Sequence, residues 1–189
     1  MHQIITISGT PGSGKSTVAQ ILAEKLKADR IYVGAIRREL AREKGMTLEQ
    51  LNQYALTHPE TDVDIDQKTA NDAKEAARTN IVIVEGRTQF YFLPESYKIY
   101  IKCDLAEGVK RIWQQIQDET ASKKRNEAVA KSRAELKKSI QDRIASDKKR
   151  YKKYYNLDHT DESHYDLIVD TTKITAKQAA NLILKKLKA

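Results

Sequence analysis

The sequence predicts an α/β fold in which a five-stranded parallel sheet is covered by helices on both faces. Short β-branched runs alternate along the chain with stretches of helical periodicity, and the first run feeds a glycine-rich loop that opens into a helical pattern. Pro is scarce and no stretch is rich in Gly, Ser or Pro. With no flexible linker to divide them, the 189 residues are expected to form one domain.

Residues 3–8, QIITIS, are an uninterrupted β-branched run and predict a strand buried on both faces. After the loop GTPGSGKST at 9–17, Val18, Ile21, Leu22 and Leu26 fall on one face at helical spacing. A short strand follows at 31–33, then helices at about 35–44 and 48–57. The second of these carries a start signal, because Thr47 and Gln50 form a capping box and Met46 can staple onto Leu51. A further helix fits 62–79. Residues 81–85, IVIVE, and 98–102, KIYIK, read as buried strands. Asp104, with Glu107 behind it, opens a helix to about Asp118. From Asn126 to Tyr155 there is no Gly or Pro and much Ala, Lys, Glu and Arg, which predicts one long helix, broken at most once. LIV at 167–169 is the last strand, and Thr175 with Gln178 caps the last helix. In such a sheet, ligands lie beyond the carboxyl ends of the strands.

The net charge of +8 attracts polyanions, a description that covers nucleoside phosphates and nucleic acid alike. The lysines between Lys110 and Lys153 suit a solvated helix face. The N-terminal apolar run is too short for a membrane span and lacks the basic segment of a signal peptide, so a soluble cytoplasmic protein is expected. Cys103, the single cysteine, excludes an intrachain disulfide, and His2, His58, His159 and His164 show no metal-ligand spacing. Tyr151, Tyr154 and Tyr155 are expected to pack the long helix against the core rather than stack on bases.

Gly9, Gly14, Lys15 and Ser16 satisfy GxxxxGK(S/T). The glycines let backbone N–H groups converge on phosphate oxygens, and the helix that starts near Lys15 directs its positive end at the same place. The whole loop, Gly9, Thr10, Pro11, Gly12, Ser13, Gly14, Lys15, Ser16 and Thr17, is therefore read as a nucleoside triphosphate site. Lys15 reaches the β- and γ-phosphates, Ser16 holds Mg²⁺, and Thr17 contacts the α-phosphate. At the end of the second buried strand, EGRTQF at 85–90 places Glu85 to bind water around Mg²⁺ and Arg87 to clamp a phosphate. A guanine-selecting NKxD motif is absent, and the chain is short for a hydrolytic motor.

The combination of SGTPGSGKST, GAIRRELAREKGMTLEQLNQYA, VEGR, RIASDKKRYKKYYNLD and YDLIVDTT, in this order over nearly the whole chain, resembles the cytidylate kinase family in its short archaeal-type form. The resemblance implies a three-layer P-loop kinase fold. Its core would be residues 1–33, 80–112 and 156–189, with a helical nucleotide-monophosphate-binding insertion at about 34–79 and a helical lid with the long helix at about 113–155. It implies ATP-dependent phosphorylation of CMP and dCMP with Mg²⁺ as cofactor. Carried onto matching positions, Arg38 and Arg87 hold the acceptor phosphate, Arg143 and Arg150 are lid arginines that neutralise the transferring phosphates, and Asp147 is their acidic partner. Within DVDID, Asp62 and Asp66 are placed to accept the N4 amino hydrogens of cytosine. By spacing alone, Arg143, Asp147 and Arg150 equally fit exposed helical pairs, and Arg111 fits either an ATP contact or an exposed helical arginine. The segment QQIQDETASKKRNEAVAKSR departs from the short form by its length and by Gln114 and Gln115, which stand where arginines are often found; Thr88 stands where some relatives carry an acid. The partners implied are ATP and CMP or dCMP, without membrane or nucleic acid, and a monomer is favoured. Two alternatives stay open: a kinase for another small acceptor such as AMP or UMP, and an RNA-associated P-loop ATPase whose basic helix binds a phosphate backbone.

Overall fold

Each apolar run is short and rich in β-branched residues, which pack well on a pleated surface, and each becomes a strand. The structure, a computed structural model, describes residues 3–117 and 130–187. Strands β1 (Ile4–Gly9), β2 (Asp29–Tyr32), β3 (Val82–Glu85), β4 (Tyr97–Lys102) and β5 (Leu167–Asp170) form one sheet in the order β2-β3-β1-β4-β5. All neighbouring pairs are parallel, with Ile5 of β1 level with Ile83 on one side and Tyr97 on the other. β1 is central and buried throughout, as its unbroken apolar run requires. The second strand ends one residue before its expected limit because Val33 already begins a helix.

The helices are α1 (Lys15–Leu26), α2 (Val33–Glu43), α3 (Leu48–Tyr54), α4 (Glu60–Ala76), α5 (Gln89–Phe92), α6 (Leu105–Ile116), α7 (Arg133–Tyr155) and α8 (Ala176–Leu187), with a 3₁₀ turn at Glu162–His164. The pleat divides the core. Ile5, Ile7, Ile83, Ile99 and Ile101 face one side, where Val18 and Leu22 of α1 and Ile183 of α8 cover them. Ile4, Val82 and Val84 face the other, against Ala70 and Ala73 of α4 and against Leu93. Helices on both faces make the three layers of a P-loop kinase fold. A satellite cluster of Val109, Ile112, Leu136 and Ile140 joins α6 to α7.

The capping signals operate as written. Thr47 and Gln50 exchange their bonds at the start of α3, Thr175 and Gln178 do so before α8, and Asp104 Oδ1 accepts from the backbone of Ala106 at 2.8 Å. α5 was not expected, since four residues carry no helical period to read. The long helix begins at Arg133, where Ser132 Oγ accepts from the Glu135 backbone at 3.1 Å. The expected extension from Asn126 to Val129, and the end of α6 at Asp118, lie outside the described residues. Among the described residues, no helix is long and apolar enough to cross a membrane.

Candidate active site

The carboxyl ends of β1, β3 and β4 lie side by side, so the loops that follow them share one edge of the sheet. The glycine-rich loop leaves β1 and is pinned from three directions. Thr10 donates its backbone N–H to Ile101 O on β4 at 3.1 Å, and its hydroxyl accepts from the Cys103 backbone at 3.1 Å. Thr171, just past β5, donates to Ser13 O at 2.8 Å. At the third point the loop lies on α6 backbone to backbone: a Cβ on Gly12 would fall 2.5 Å from Gly108 Cα, and one on Gly108 would fall 2.7 Å from Pro11 O. Gly14, at φ 80°, then caps α1 from the left-handed region.

A cavity of about 1050 Å³ opens over this loop. Its walls are loop residues Thr10 to Thr17, Arg38, Arg87, Arg143, Gln114 and Gln115 of α6, and the turn at 172–176. Gly9 does not line it; that residue ends β1 beneath the loop. Arg111 lines it while anchored to Glu107 at 3.0 Å and to Thr171 O at 2.7 Å.

A second, narrow cavity of about 60 Å³ extends from Lys15 and Arg87 to α2, α3, α4 and α7. Lys15, Tyr32, Arg38, Arg87 and Arg143 line both. Four cations thus stand where the two spaces meet, which suits a pair of phosphates brought end to end.

Fully buried Glu85 gathers the groups around the loop's first helical turn. Its Oε1 accepts from the Ser16 hydroxyl and lies 3.7 Å from Lys15 Nζ, while Oε2 receives Arg30 at 2.6 Å. Burial lowers the Lys15 pKa although Glu85 acts to raise it. Mg²⁺ is commonly bound through one or two protein oxygens, with phosphates and waters completing an octahedron. The Ser16 hydroxyl and the Glu85 carboxylate are hard oxygen donors of the right number and place, so the residues fit that ion. Among the described residues, no group of three or more His, Cys, Asp or Glu side chains is placed to hold a metal on its own.

The expected acceptor residues meet through a buried row of alternating charges. Arg37 donates to Asp62 Oδ1 and, at 3.0 Å, to Thr61 O. Arg150 bridges Asp62 Oδ2 and Asp147 Oδ1, and Asp147 Oδ2 pairs with Arg87 at 2.7 Å. Asp62, Asp147 and Arg150 are each no more than 2% exposed. Burial opposes the charge on Asp147, but Arg87 and Arg150 outweigh it and hold its carboxyl down at about 2. Burial likewise opposes the charge of Arg87, yet Asp147 and Tyr151 keep its pKa above the ordinary value.

The structure therefore brings Lys15, Arg38, Arg87 and Arg143 to the cavities and places Arg150 behind them, holding Asp62 and Asp147. Arg38 is itself oriented by Tyr32 OH at 2.9 Å and Gly34 O at 3.0 Å. Asp66 accepts from Thr88 at 2.8 Å, Gln89 at 3.0 Å and Tyr155 at 2.9 Å, and burial pushes its pKa up to about 6 despite the Thr88 and Tyr155 bonds. Tyr151 is buried and lines the narrow cavity, Tyr154 bonds Ala55 O, and Tyr155 stands edge-on to Phe92 at 5.2 Å.

Sequence reasoning missed Arg30, Arg37, Asn52 and Thr171. Arg37 adjoins Arg38 in GAIRREL, and nothing in the spacing tells which of two neighbouring arginines turns to the phosphate and which to Asp62. Arg30 follows from the sheet order alone, which sets β2 beside β3 with Tyr32 level with Glu85.

Comparison with known proteins bears on this geometry. The family model described as an AAA domain matches residues 5–138. The chain is 40% identical to the cytidylate kinase of Methanocaldococcus jannaschii, covering 95% of this chain and 94% of that one. It is 36% identical to the cytidylate kinase of Methanopyrus kandleri, with 95% and 90% covered. The shikimate kinase of Acinetobacter baumannii, solved with shikimate, superposes with a TM-score of 0.57 at 15% identity over 97% of this chain and 92% of that one, a likeness of fold alone.

Proposed function

Because the chain belongs to the cytidylate kinase family, and by its matched model also to the AAA domain family, we propose that it transfers the γ-phosphoryl group of ATP to CMP and dCMP, giving CDP and dCDP. The observation that carries this reading is the meeting of two cavities at Lys15, Arg38, Arg87 and Arg143. The larger cavity, floored by residues 10–17, takes ATP. The narrow one takes the monophosphate, with Arg38 and Arg87 on its phosphate and Asp62, Asp66 and Glu85 in its walls.

The chemistry asks for no general base. A phosphate monoester has its second pKa near about 6, so at neutral pH the acceptor is already mostly a dianion. The obstacle is the approach of two polyanions, which fixed positive charges relieve while they align in-line attack. Lys15 lies at the β- and γ-phosphates of the donor, Arg87 and Arg38 hold the acceptor, and Arg143 spans both. Asp147 fixes Arg87, and Arg150 fixes Asp147, so these two act through their neighbour. Ser16 and Glu85 would hold Mg²⁺, and when bound that ion would neutralise charge on the donor's phosphates.

A cavity of about 60 Å³ holds only a few waters. The acceptor therefore enters by displacement of the insertion at about 34–79 and of the described part of the lid, 113–117 and 130–155, which close again to exclude water from the transfer. The test is ADP release with a panel of CMP, dCMP, UMP, AMP and GMP. Saturable release with CMP and dCMP is expected. Preference for AMP, or ATP turnover indifferent to every monophosphate, refutes the reading.

A further inference from the structure

Asn52, on α3, is 6% exposed and lines the narrow cavity together with Asp62, Asp66 and Thr88. Its amide is locked in one sense. Oδ1 accepts from Arg37 Nη2 at 3.1 Å and lies 3.5 Å from Arg150 Nη2, so the opposite flip would turn an NH₂ group against two cations. Both guanidiniums are themselves held by Asp62, which keeps the amide from turning with them. Among the described residues, nothing accepts from Nδ2.

The carboxylates of the same wall are already engaged, Asp62 by its two arginines and Asp66 by three donors. Leu48 and Tyr151, both buried, line the same cavity and supply apolar contact for a flat ring. The cationic end of the cavity, at Lys15, Arg38 and Arg87, takes the phosphate. The base consequently falls among the groups of α3, α4 and α7.

Resting on the proposed monophosphate kinase activity, we infer that Asn52 reads the acceptor's base, donating from Nδ2 to a ring edge that carries two adjacent hydrogen-bond acceptors. Cytosine presents such an edge, with O2 beside an unprotonated N3. Uracil presents O2 beside an N3–H, which sets donor against donor. A fixed amide that can only donate separates the two pyrimidines, and its orientation is fixed before any ligand arrives.

The test is kcat/KM for CMP and for UMP, at saturating ATP, in the wild type, Asn52→Asp and Asn52→Ser, each checked for folding by circular dichroism. Asn52→Asp replaces the donor with an acceptor while leaving an oxygen for Arg37 and Arg150. The CMP-over-UMP preference is expected to fall by roughly tenfold or more, the equivalent of one well-made hydrogen bond. Asn52→Ser, whose hydroxyl donates or accepts, shifts the preference in the same direction. If Asn52 only braces the arginines, both substrates lose equally and the ratio stands, which overturns the inference. A wild type that uses CMP and UMP equally also overturns it, with the kinase reading intact. A wild type that phosphorylates neither removes the activity itself and this inference with it.

Discussion

Replacement of Arg150 by Met measures what the buried charge row contributes. Arg150 is 1% exposed and is, among the described residues, the one that joins Asp62 to Asp147, themselves 2% and 0% exposed. Met conserves much of the length and apolar volume but removes the guanidinium. Asp62 is then left with Arg37, and Asp147 with Arg87. Breaking a buried pair by removal of one partner costs about 3–5 kcal/mol, because a desolvated charge loses its compensation. At about 2–4 °C per kcal/mol for a chain of this size, the melting temperature should fall by roughly 6–20 °C. Urea unfolding at pH 7 gives the free energy directly. Arg133→Met, at an exposed position of the same helix, serves as control and should stay within about 0.5 kcal/mol of wild type. In Arg150→Met combined with Asp62→Asn, the coupling should be about 0.5–3 kcal/mol, since part of the single-mutant loss is the stranded Asp62 charge. A loss below about 1 kcal/mol in Arg150→Met, or simple additivity in the double variant, would refute the reasoning.

Two further outcomes follow from the same geometry. Arg87→Ala should lower kcat/KM for CMP by about 100-fold or more while leaving ATP affinity within about threefold, because Arg87 holds the acceptor phosphate; an equal loss of both in steady-state kinetics and nucleotide titration would contradict that role. His159 is 3% exposed, and burial, reinforced by Arg87, holds its pKa down to about 4 against 6.5 for a free imidazole. Its folded pKa is depressed, so its contribution is present above pH 6.5 and lost as pH falls towards 4. At pH 5 the loss amounts to about 2 kcal/mol. The stability difference between wild type and His159→Gln should shift by that amount against the wild type between pH 7.5 and pH 5, and a pH-independent difference would show that His159 titrates normally in the fold.

The legible parts of this chain are those whose cause is local. β1 and β3 could be read because IITI and IVIV are uninterrupted β-branched runs, and the phosphate loop because its residues are contiguous. The caps at Thr47, Asp104 and Thr175 could be read because each motif closes within three or four residues. Ser132 with Glu135 carries the same signature and marks where the described α7 begins, a signal masked by the unbroken helical composition before it. The acceptor wall was opaque for the opposite reason. Asp62 lies 25 positions from Arg37 and 88 from Arg150, and no spacing rule spans such separations. The resemblance of DVDID to the family's acidic stretch points to Asp62 and Asp66 for the base; both line the narrow cavity, and what the sequence does not reveal is that each also accepts from residues distant in the chain.

The contact of Gly12 with Gly108 has a consequence for how this loop can be inherited. Written along the chain, the nucleotide motif ends at Thr17. In space it needs a second bare backbone, because a single methyl group on either glycine would collide with the other segment. The nine-residue stretch is therefore not a portable cassette: transplanted behind another strand, it arrives without the α6 surface that gives it room to lie. Chimeras that exchange residues 1–100 between relatives keep the loop only when the recipient also has glycine at the position of Gly108, so the two segments pass between sequences as one unit.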